Sequence, residues 1–182
     1  MGSKLSSLVF QPPEVSYFHS KKQIIWLRAV RNGSNNPNSS SSSNTGISIP
    51  AFYLDRKSKI TILFSHGNAE DLGLIYEWFC EFSKAVHVNV LAYDYEGYGK
   101  AVGHPNEQSC YANIDAAYSF LTETLHINPE NIVLFGRSLG SGPSCYLAER
   151  LHCQNVQLGG MILQVWSSVL SMLDYWLTLQ LA

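Results

Sequence analysis

The sequence is poor in charged residues and has no long block of one sign. Aspartate, glutamate, lysine and arginine make up 14% of its 182 residues, and the formal net charge is −2. Nucleic-acid binding needs clustered basic residues, so this composition excludes that class of protein. Hydrophobic residues account for 46% of the chain, which is enough to fill the core of the one domain expected at this length.

Cysteine is also scarce, and its spacing indicates neither a metal site nor a disulfide framework. The four cysteines form no CxxC pair and have no histidine at metal-ligand spacing; they are Cys80, Cys110, Cys145 and Cys153. No signal peptide is recognisable, so we expect reduced thiols in a cytosolic protein. We expect no bound metal.

A long, uninterrupted apolar run is missing as well. The most apolar stretch, residues 161–182, is broken by glutamine, serine, threonine and aspartate, whereas a membrane span needs about 20 mostly apolar residues. We interpret it as a buried strand followed by an amphipathic helix. Apolar residues recur there at helical spacing, namely Val165, Val169, Leu173 and Trp176.

A low-complexity tract of serine and asparagine occupies residues 31–46. Such a composition cannot bury apolar surface, so we expect a disordered surface loop. The segments on either side, residues 23–30 and 47–54, are rich in β-branched and aromatic residues. They predict a pair of strands joined by this enlarged loop.

From residue 60 onward, short apolar runs predict buried strands. Continuous runs of this kind are typical of parallel strands that are covered on both faces. The runs lie at residues 60–65, 88–95, 131–136 and 159–164. If the last of these ends the sheet, it would be an exposed edge.

Helical patterns separate these strands. The first places five apolar side chains on one face: Leu74, Ile75, Trp78, Phe79 and Phe82. The second recurs at Tyr111, Ile114, Ala117, Tyr118, Leu121 and Leu125, and a third helix is expected at residues 138–151. Strands and helices that alternate at this spacing predict a mostly parallel, doubly wound α/β sheet.

The segment from Gly136 to Gly140 reads G-x-S-x-G, directly after a predicted strand and before a predicted helix. This context is what a nucleophile elbow requires. The flanking glycines lack a Cβ, so strand and helix can pack closely around a strained serine. The pattern therefore predicts Ser138 as a nucleophile at the carboxyl edge of the sheet, although a glycine-rich turn with a solvated serine is the alternative.

Ser65, His66, Gly67 and Asn68 follow the first parallel strand. Where a sheet carries a nucleophile elbow, this loop supplies one backbone N–H of the oxyanion hole, and the residue after the nucleophile supplies the other. The candidates are the amides of Asn68 and Leu139. His66 could instead be a catalytic base, but the base histidine of such enzymes follows the serine in chain order, so we expect His66 to order the loop by hydrogen bonding.

Asp94 ends the second parallel strand, in a turn that contains Gly97 and Gly99. A carboxylate there could be the acid of a catalytic triad. That acid should follow the serine in chain order, however. We therefore expect a structural carboxylate that accepts backbone N–H groups of the glycine-rich turn.

Four motifs together resemble one family: FQPPE at 10–14, FSHGNAEDLG at 64–73, YDYEGYG at 93–99 and FGRSLGSGP at 135–143. Over about residues 8–164 the chain resembles the alpha/beta-hydrolase-domain-containing 17 proteins, which are palmitoyl-protein thioesterases with kin among serine aminopeptidase-like hydrolases. The resemblance implies an alpha/beta-hydrolase fold with Ser138 as nucleophile and Asn68 and Leu139 lining the oxyanion hole. It also implies S-palmitoylated proteins as substrates and no cofactor.

The family pattern continues beyond this sequence. The resemblance implies two further strands that deliver a catalytic aspartate and then a histidine, whereas the chain ends at Ala182 and departs from the pattern after Gln164. We therefore expect residues 23–182 to form a partial hydrolase domain, incomplete at its C-terminus. The alternatives are a lipid or carboxylester hydrolase, and a catalytically inert binding module tethered to a membrane.

The first six residues, Met-Gly-Ser-Lys-Leu-Ser, match the N-myristoylation pattern with glycine second and serine sixth. We expect a myristoyl group on Gly2 and a membrane-tethering segment at residues 1–22. A single myristoyl chain gives only weak, reversible attachment. The expected location is therefore the cytoplasm, with peripheral association at the cytosolic face of a membrane.

Overall fold

The computed structural model describes residues 9–17, 24–30 and 46–165, together with the backbone of one later strand, Tyr175–Leu179. Of the predicted disordered loop at 31–46, all but Gly46 lie outside the described residues. The same holds for Gly2. Residues 9–17 fall inside the predicted tethering segment, and here they pack against the sheet and its first helix.

The described strands form one seven-stranded sheet, which organises the fold. Its strands, in chain order, are β1 (Ile25–Ala29), β2 (Ile47–Leu54), β3 (Thr61–Ser65), β4 (Asn89–Tyr93), β5 (Ile132–Arg137), β6 (Gly160–Val165) and β7 (Tyr175–Leu179). The spatial order is β1-β2-β4-β3-β5-β6-β7. Strands β3 to β6 run parallel, and β1, β2 and β7 pair antiparallel to their neighbours. The predicted α/β class and the mostly parallel sheet are confirmed.

Within residues 46–165, three α-helices cover the sheet: α1 (Leu72–Ala85), α2 (Glu107–Ser119) and α3 (Ser141–Cys153). A single π-helical turn, Phe120–Thr124, extends α2, and a short 3₁₀ turn, Pro129–Asn131, precedes β5. Among the described residues, no helix has both the length and the apolar character needed to cross a membrane.

The hydrophobic core has two layers, one on each face of the sheet. Every residue of β3 and β4 is buried, which explains their continuous apolar runs. On one face Leu63 and Leu134 pack with Ile114 of α2 and Leu147 of α3. On the other face, aromatic side chains of the sheet pack against α1. The sheet is therefore covered on both faces, as a doubly wound fold requires.

Helix α1 begins after Asp71, whose side chain accepts the N–H of Leu74 as an N-cap. Its buried face includes Ile75 and Phe79. Two residues of the predicted apolar face are not buried: Leu74 is 57% exposed and Trp78 is 48% exposed. Both lie beside the buried face, where the described part of the chain provides nothing to cover them fully.

The prediction for the end of the chain also needs correction. Trp176 was expected in a helix, but it lies in β7, which pairs with β6 from Met161↔Leu179 to Val165↔Tyr175. Val165, the first residue of that predicted helical pattern, ends β6, and Val169 and Leu173 lie outside the described residues. Consequently β6 is not the edge of the sheet, because β7 satisfies its outer hydrogen-bonding groups.

Phe79 offers a test of which face of α1 is buried. Its ring is fully buried and packs against the rings of Phe52 and Phe64. We expect Phe79→Ala to lower the free energy of unfolding by about 3–5 kcal/mol, because the substitution leaves a cavity. The matched control Leu74→Ala should cost less than about 1 kcal/mol. Urea unfolding followed by circular dichroism measures both, and equal losses would contradict the buried face described above.

Candidate active site

Ser138 lies at a sharp turn between strand and helix. Strand β5 ends at Arg137, residues Ser138–Gly140 form one 3₁₀ turn, and α3 begins at Ser141. Ser138 has a φ of +50°, a left-handed conformation that a residue with a Cβ seldom adopts. Its side chain is exposed. A strained, outward-facing serine between a strand and a helix is the geometry that a nucleophile elbow requires.

The two flanking glycines allow this turn to form. A Cβ built on Gly136 would lie 2.6 Å from the carbonyl oxygen of Gly140 and 2.7 Å from Ser144 Oγ. A Cβ on Gly140 would lie 2.0 Å from the carbonyl oxygen of Ser65. No side chain fits at either position without moving backbone atoms. The glycines therefore bring the elbow against the end of β3.

An ion pair joins the elbow to the loop after β3. Arg137 Nη1 lies 2.6 Å from Glu70 Oε1, and Glu70 Oε2 accepts the backbone N–H of Gly67 at 2.7 Å. Arg137 Nε also donates to Gln164 Oε1 of β6 at 2.9 Å. The guanidinium group lies over the ring of Phe64, 5.1 Å from its centroid. This pair was not predicted, because nothing in the spacing of the two sequence motifs indicates that they meet.

The structure brings both predicted oxyanion residues to one edge of the sheet. Ser65 pairs in register with Gly136, so the loop that carries Asn68 and the elbow that carries Leu139 leave neighbouring strands at the same level. The N–H of Gly67 is taken by Glu70, and the next amide in the loop is that of Asn68. Backbone amides at such a position can stabilise the oxyanion of an acyl-transfer reaction.

His66 is fully buried beneath this loop. Its Nδ1 donates to the carbonyl of Gly67 at 2.8 Å, and its ring packs against those of Tyr95 and Tyr98. The hydrogen bond expected to order the loop is therefore present. Burial lowers the pKa of His66 to about 4, so the ring is neutral at pH 7. A ring without solvent exposure is poorly placed to take a proton from an exposed serine.

Asp94 is a buried structural carboxylate, but its partners differ from those predicted. Its Oδ1 accepts the N–H of Leu72 at 2.9 Å, and its Oδ2 accepts the hydroxyl of Tyr17. The backbone N–H donor comes from the first turn of α1 and not, as expected, from the glycine-rich turn. The turn still packs tightly around the carboxylate, since a Cβ on Gly99 would lie 1.9 Å from Asp94 Oδ2. Burial raises the pKa of Asp94 to about 8.

A cleft of about 470 Å³ opens beside the elbow. Apolar and charged side chains line it together: Ala69, Glu70, Leu74, Ile75, Trp78 and Arg137. In the described part of the chain, no group of three or more histidine, cysteine, aspartate or glutamate side chains could hold a metal ion. This edge of the sheet presents an exposed serine, backbone N–H groups and a partly apolar cleft.

Comparison with known proteins agrees with this geometry. Residues 60–164 match the family described as alpha/beta hydrolase fold, and the chain belongs to that family. Within it, the resemblance to the alpha/beta-hydrolase-domain-containing 17 proteins is confirmed. Mouse alpha/beta hydrolase domain-containing protein 17C is 44% identical over 101 residues, which are 56% of this chain and 32% of that protein. Protein 17B of Xenopus tropicalis is 32% identical over 163 residues, 82% of this chain and 57% of that protein.

A solved structure supports the same fold. An alpha-beta hydrolase from Vibrio vulnificus superimposes with a TM-score of 0.56 at 23% identity, covering 62% of this chain and 40% of that one. Identity this low shows the fold alone. The chain spans between about one third and 57% of the curated relatives it matches here.

Gly140 provides a test of the close contact at the elbow. We expect Gly140→Ala to lower the free energy of unfolding by about 3 kcal/mol, since the new methyl group would overlap the carbonyl of Ser65. Gly142→Ala is the matched control: its Cβ would meet nothing within 4 Å. This control, in helix α3, should gain about 0.5–1 kcal/mol. Chemical denaturation measures both, and a neutral Gly140→Ala would refute the contact.

The buried carboxyl group of Asp94 makes the free energy of unfolding depend on pH. Because its folded-state pKa is raised to about 8, its protonated form favours folding, and this contribution is lost as pH rises toward 8. The pKa of His66 is lowered to about 4, so its effect on the free energy of unfolding no longer changes with pH above about pH 6.5. Between pH 6.5 and 8 we expect the free energy of unfolding to fall by about 1.5 kcal/mol because of Asp94.

The variant Asp94→Asn isolates this effect, because it keeps an oxygen for the N–H of Leu72 and cannot ionise. Unfolding free energies measured at pH 6.5, 7.2 and 8 should show a smaller decline in the variant than in the parent protein. Parallel pH profiles would mean that Asp94 is already ionised at pH 6.5.

Proposed function

We propose that this chain carries the nucleophile and oxyanion-hole half of a serine hydrolase that removes palmitate from S-acylated proteins. The observation that carries the proposal is Ser138, strained at φ +50° and exposed between β5 and α3. The family relationship supports hydrolysis by an activated serine. The resemblance of the sequence motifs supports a thioester substrate.

In the proposed reaction, Ser138 Oγ attacks the acyl carbonyl carbon while its proton passes to a base. The C–O bond forms, the negative charge on the carbonyl oxygen is held by the amides of Asn68 and Leu139, and the C–S bond then breaks. The departing sulfur takes the proton. Water hydrolyses the acyl-serine in the second half of the reaction and releases the fatty acid. The resemblance implies a base that follows Ser138 in chain order. The burial of His66 supports this, because a buried ring is poorly placed to take the proton of an exposed serine.

The cleft beside the elbow supports an acyl substrate. Its volume of about 470 Å³ lies in the range of small-ligand pockets. Leu74 and Trp78 are exposed apolar side chains at this cleft, and Arg137 bounds it next to the nucleophile. An apolar wall next to a polar reacting centre suits a long acyl chain attached to a thioester.

The membrane part of the proposal depends on the N-terminal sequence. A myristoyl group on Gly2 would give weak, reversible attachment to the cytosolic face of a membrane. Palmitoylated proteins lie at the same surface. Weak attachment would therefore raise the local concentration of substrate without fixing the protein permanently to one membrane.

Labelling with a fluorophosphonate probe tests the nucleophile in a protein that includes the base implied by the resemblance; without that base we expect no measurable thioesterase turnover. We expect labelling of the purified protein to disappear in Ser138→Ala and to persist in Ser141→Ala, the serine that starts α3. An S-palmitoylated peptide should be hydrolysed in preference to a long-chain monoacylglycerol. A folded protein that is not labelled would be an inert binding module, and preference for the glycerol ester would make it a lipid hydrolase.

A further inference from the structure

Residues 9–17, here termed the strap, bind directly to the loop that carries Asn68. The backbone N–H of Gln11 donates to Asn68 Oδ1 at 2.8 Å, and Asn68 Nδ2 donates to the carbonyl of Val9 at 2.6 Å. Tyr98 adds a third contact, since its hydroxyl donates to Asn68 Oδ1 at 2.5 Å. The amide side chain of Asn68 is therefore held at both its acceptor and its donor.

The other end of the strap binds the end of the same loop. The N–H and the hydroxyl of Ser16 both donate to the carboxylate of Asp71, the N-cap of α1, with the N–H at 2.7 Å. Tyr17 is 4% exposed and donates its hydroxyl to Asp94. A Cβ on Gly73 would lie 2.1 Å from Ser16 Oγ, so strap and helix touch closely. The strap thus brackets residues 68–71 from both sides.

We propose that the strap is a positioning element of the oxyanion hole, and that it acts through the side chain of Asn68. This inference rests on the proposed function, because it concerns the backbone amide of Asn68 as an oxyanion donor. A donor amide must point at one place during the reaction. Asn68 is in a loop, and its side-chain hydrogen bonds to Val9, Gln11 and Tyr98 fix the orientation of the peptide unit that carries this amide.

The contact from Gln11 can be removed without changing a buried side chain. Its donor is a backbone N–H and its side chain is exposed, so Gln11→Pro deletes the donor, whereas Gln11→Ala retains it. The alanine variant is therefore a matched control for the loss of the glutamine side chain. Asn68→Asp is a second variant that retains the acceptor but loses the donor to Val9, and it leaves the strap backbone unchanged.

Amide hydrogen exchange of the peptide spanning residues 66–72 is the first measurement, and it does not depend on activity. We expect exchange to be about tenfold faster in Gln11→Pro, the effect of one lost hydrogen bond, and within twofold of the parent in Gln11→Ala. Asn68→Asp should also exchange faster. Exchange in Gln11→Pro and Asn68→Asp at the rate of Gln11→Ala would overturn the proposal.

Fluorophosphonate labelling of Ser138 is the second measurement, because the probe's phosphoryl oxygen occupies the oxyanion hole. We expect the maximal labelling rate of Gln11→Pro to fall about tenfold with an unchanged half-saturating probe concentration, since positioning affects the transition state more than probe binding. A purely structural strap would lower the melting temperature and leave this rate unchanged in the folded protein, which would overturn the proposal. If the parent protein is not labelled, the proposed function fails, while hydrogen exchange still decides the role of the strap.

Discussion

The contact between the backbone of Gly140 and the carbonyl of Ser65 is the constraint on which the rest of the site depends. Strands β3 and β5 are parallel neighbours with Ser65 opposite Gly136, so the loop after one and the elbow after the other start at the same level. Without a Cβ at Gly140, the two segments come close enough for Arg137 to reach Glu70. The left-handed serine, the ion pair and the candidate oxyanion amides all follow from this approach.

The sheet was predictable because its central strands are buried on both faces. The short, mostly apolar runs that form β3 and β4 are a local signal, and they predict parallel strands without knowledge of their neighbours. The face of α1 was less predictable, because periodicity indicates which side chains align and not how far the neighbouring elements extend over them. Leu74 aligns with the buried stripe and is nevertheless exposed. Strand β7 was missed since its pairing with β6 is a tertiary interaction that helical spacing of a few apolar residues can mimic.

Within the site, too, features set by neighbouring residues in the sequence were predictable, and contacts between distant residues were not. Ser138 was predictable because the strand, the two glycines and the helix are adjacent in sequence. The hydrogen bond of His66 to the neighbouring carbonyl was similarly local. Two contacts were not predicted, because their partners are far apart in sequence: Arg137 and Glu70 are separated by 67 residues, and Tyr17 and Asp94 by 77. Asp94 was correctly assigned a structural role, but its partners come from a distant segment and from α1, which no local pattern indicates.

The contacts of Arg137, the second residue of the G-x-S-x-G motif, affect how the site responds to dissolved salt. Its guanidinium group contacts Glu70 and Gln164 at once and lies over the rings of Phe64 and Trp78. Arginine and glutamate are only 22% and 24% exposed, so dissolved salt screens their attraction weakly. We therefore expect the spacing between elbow and loop to depend little on ionic strength. A lysine could supply the charge, but only a flat, forked cation can satisfy two acceptors and an aromatic face together.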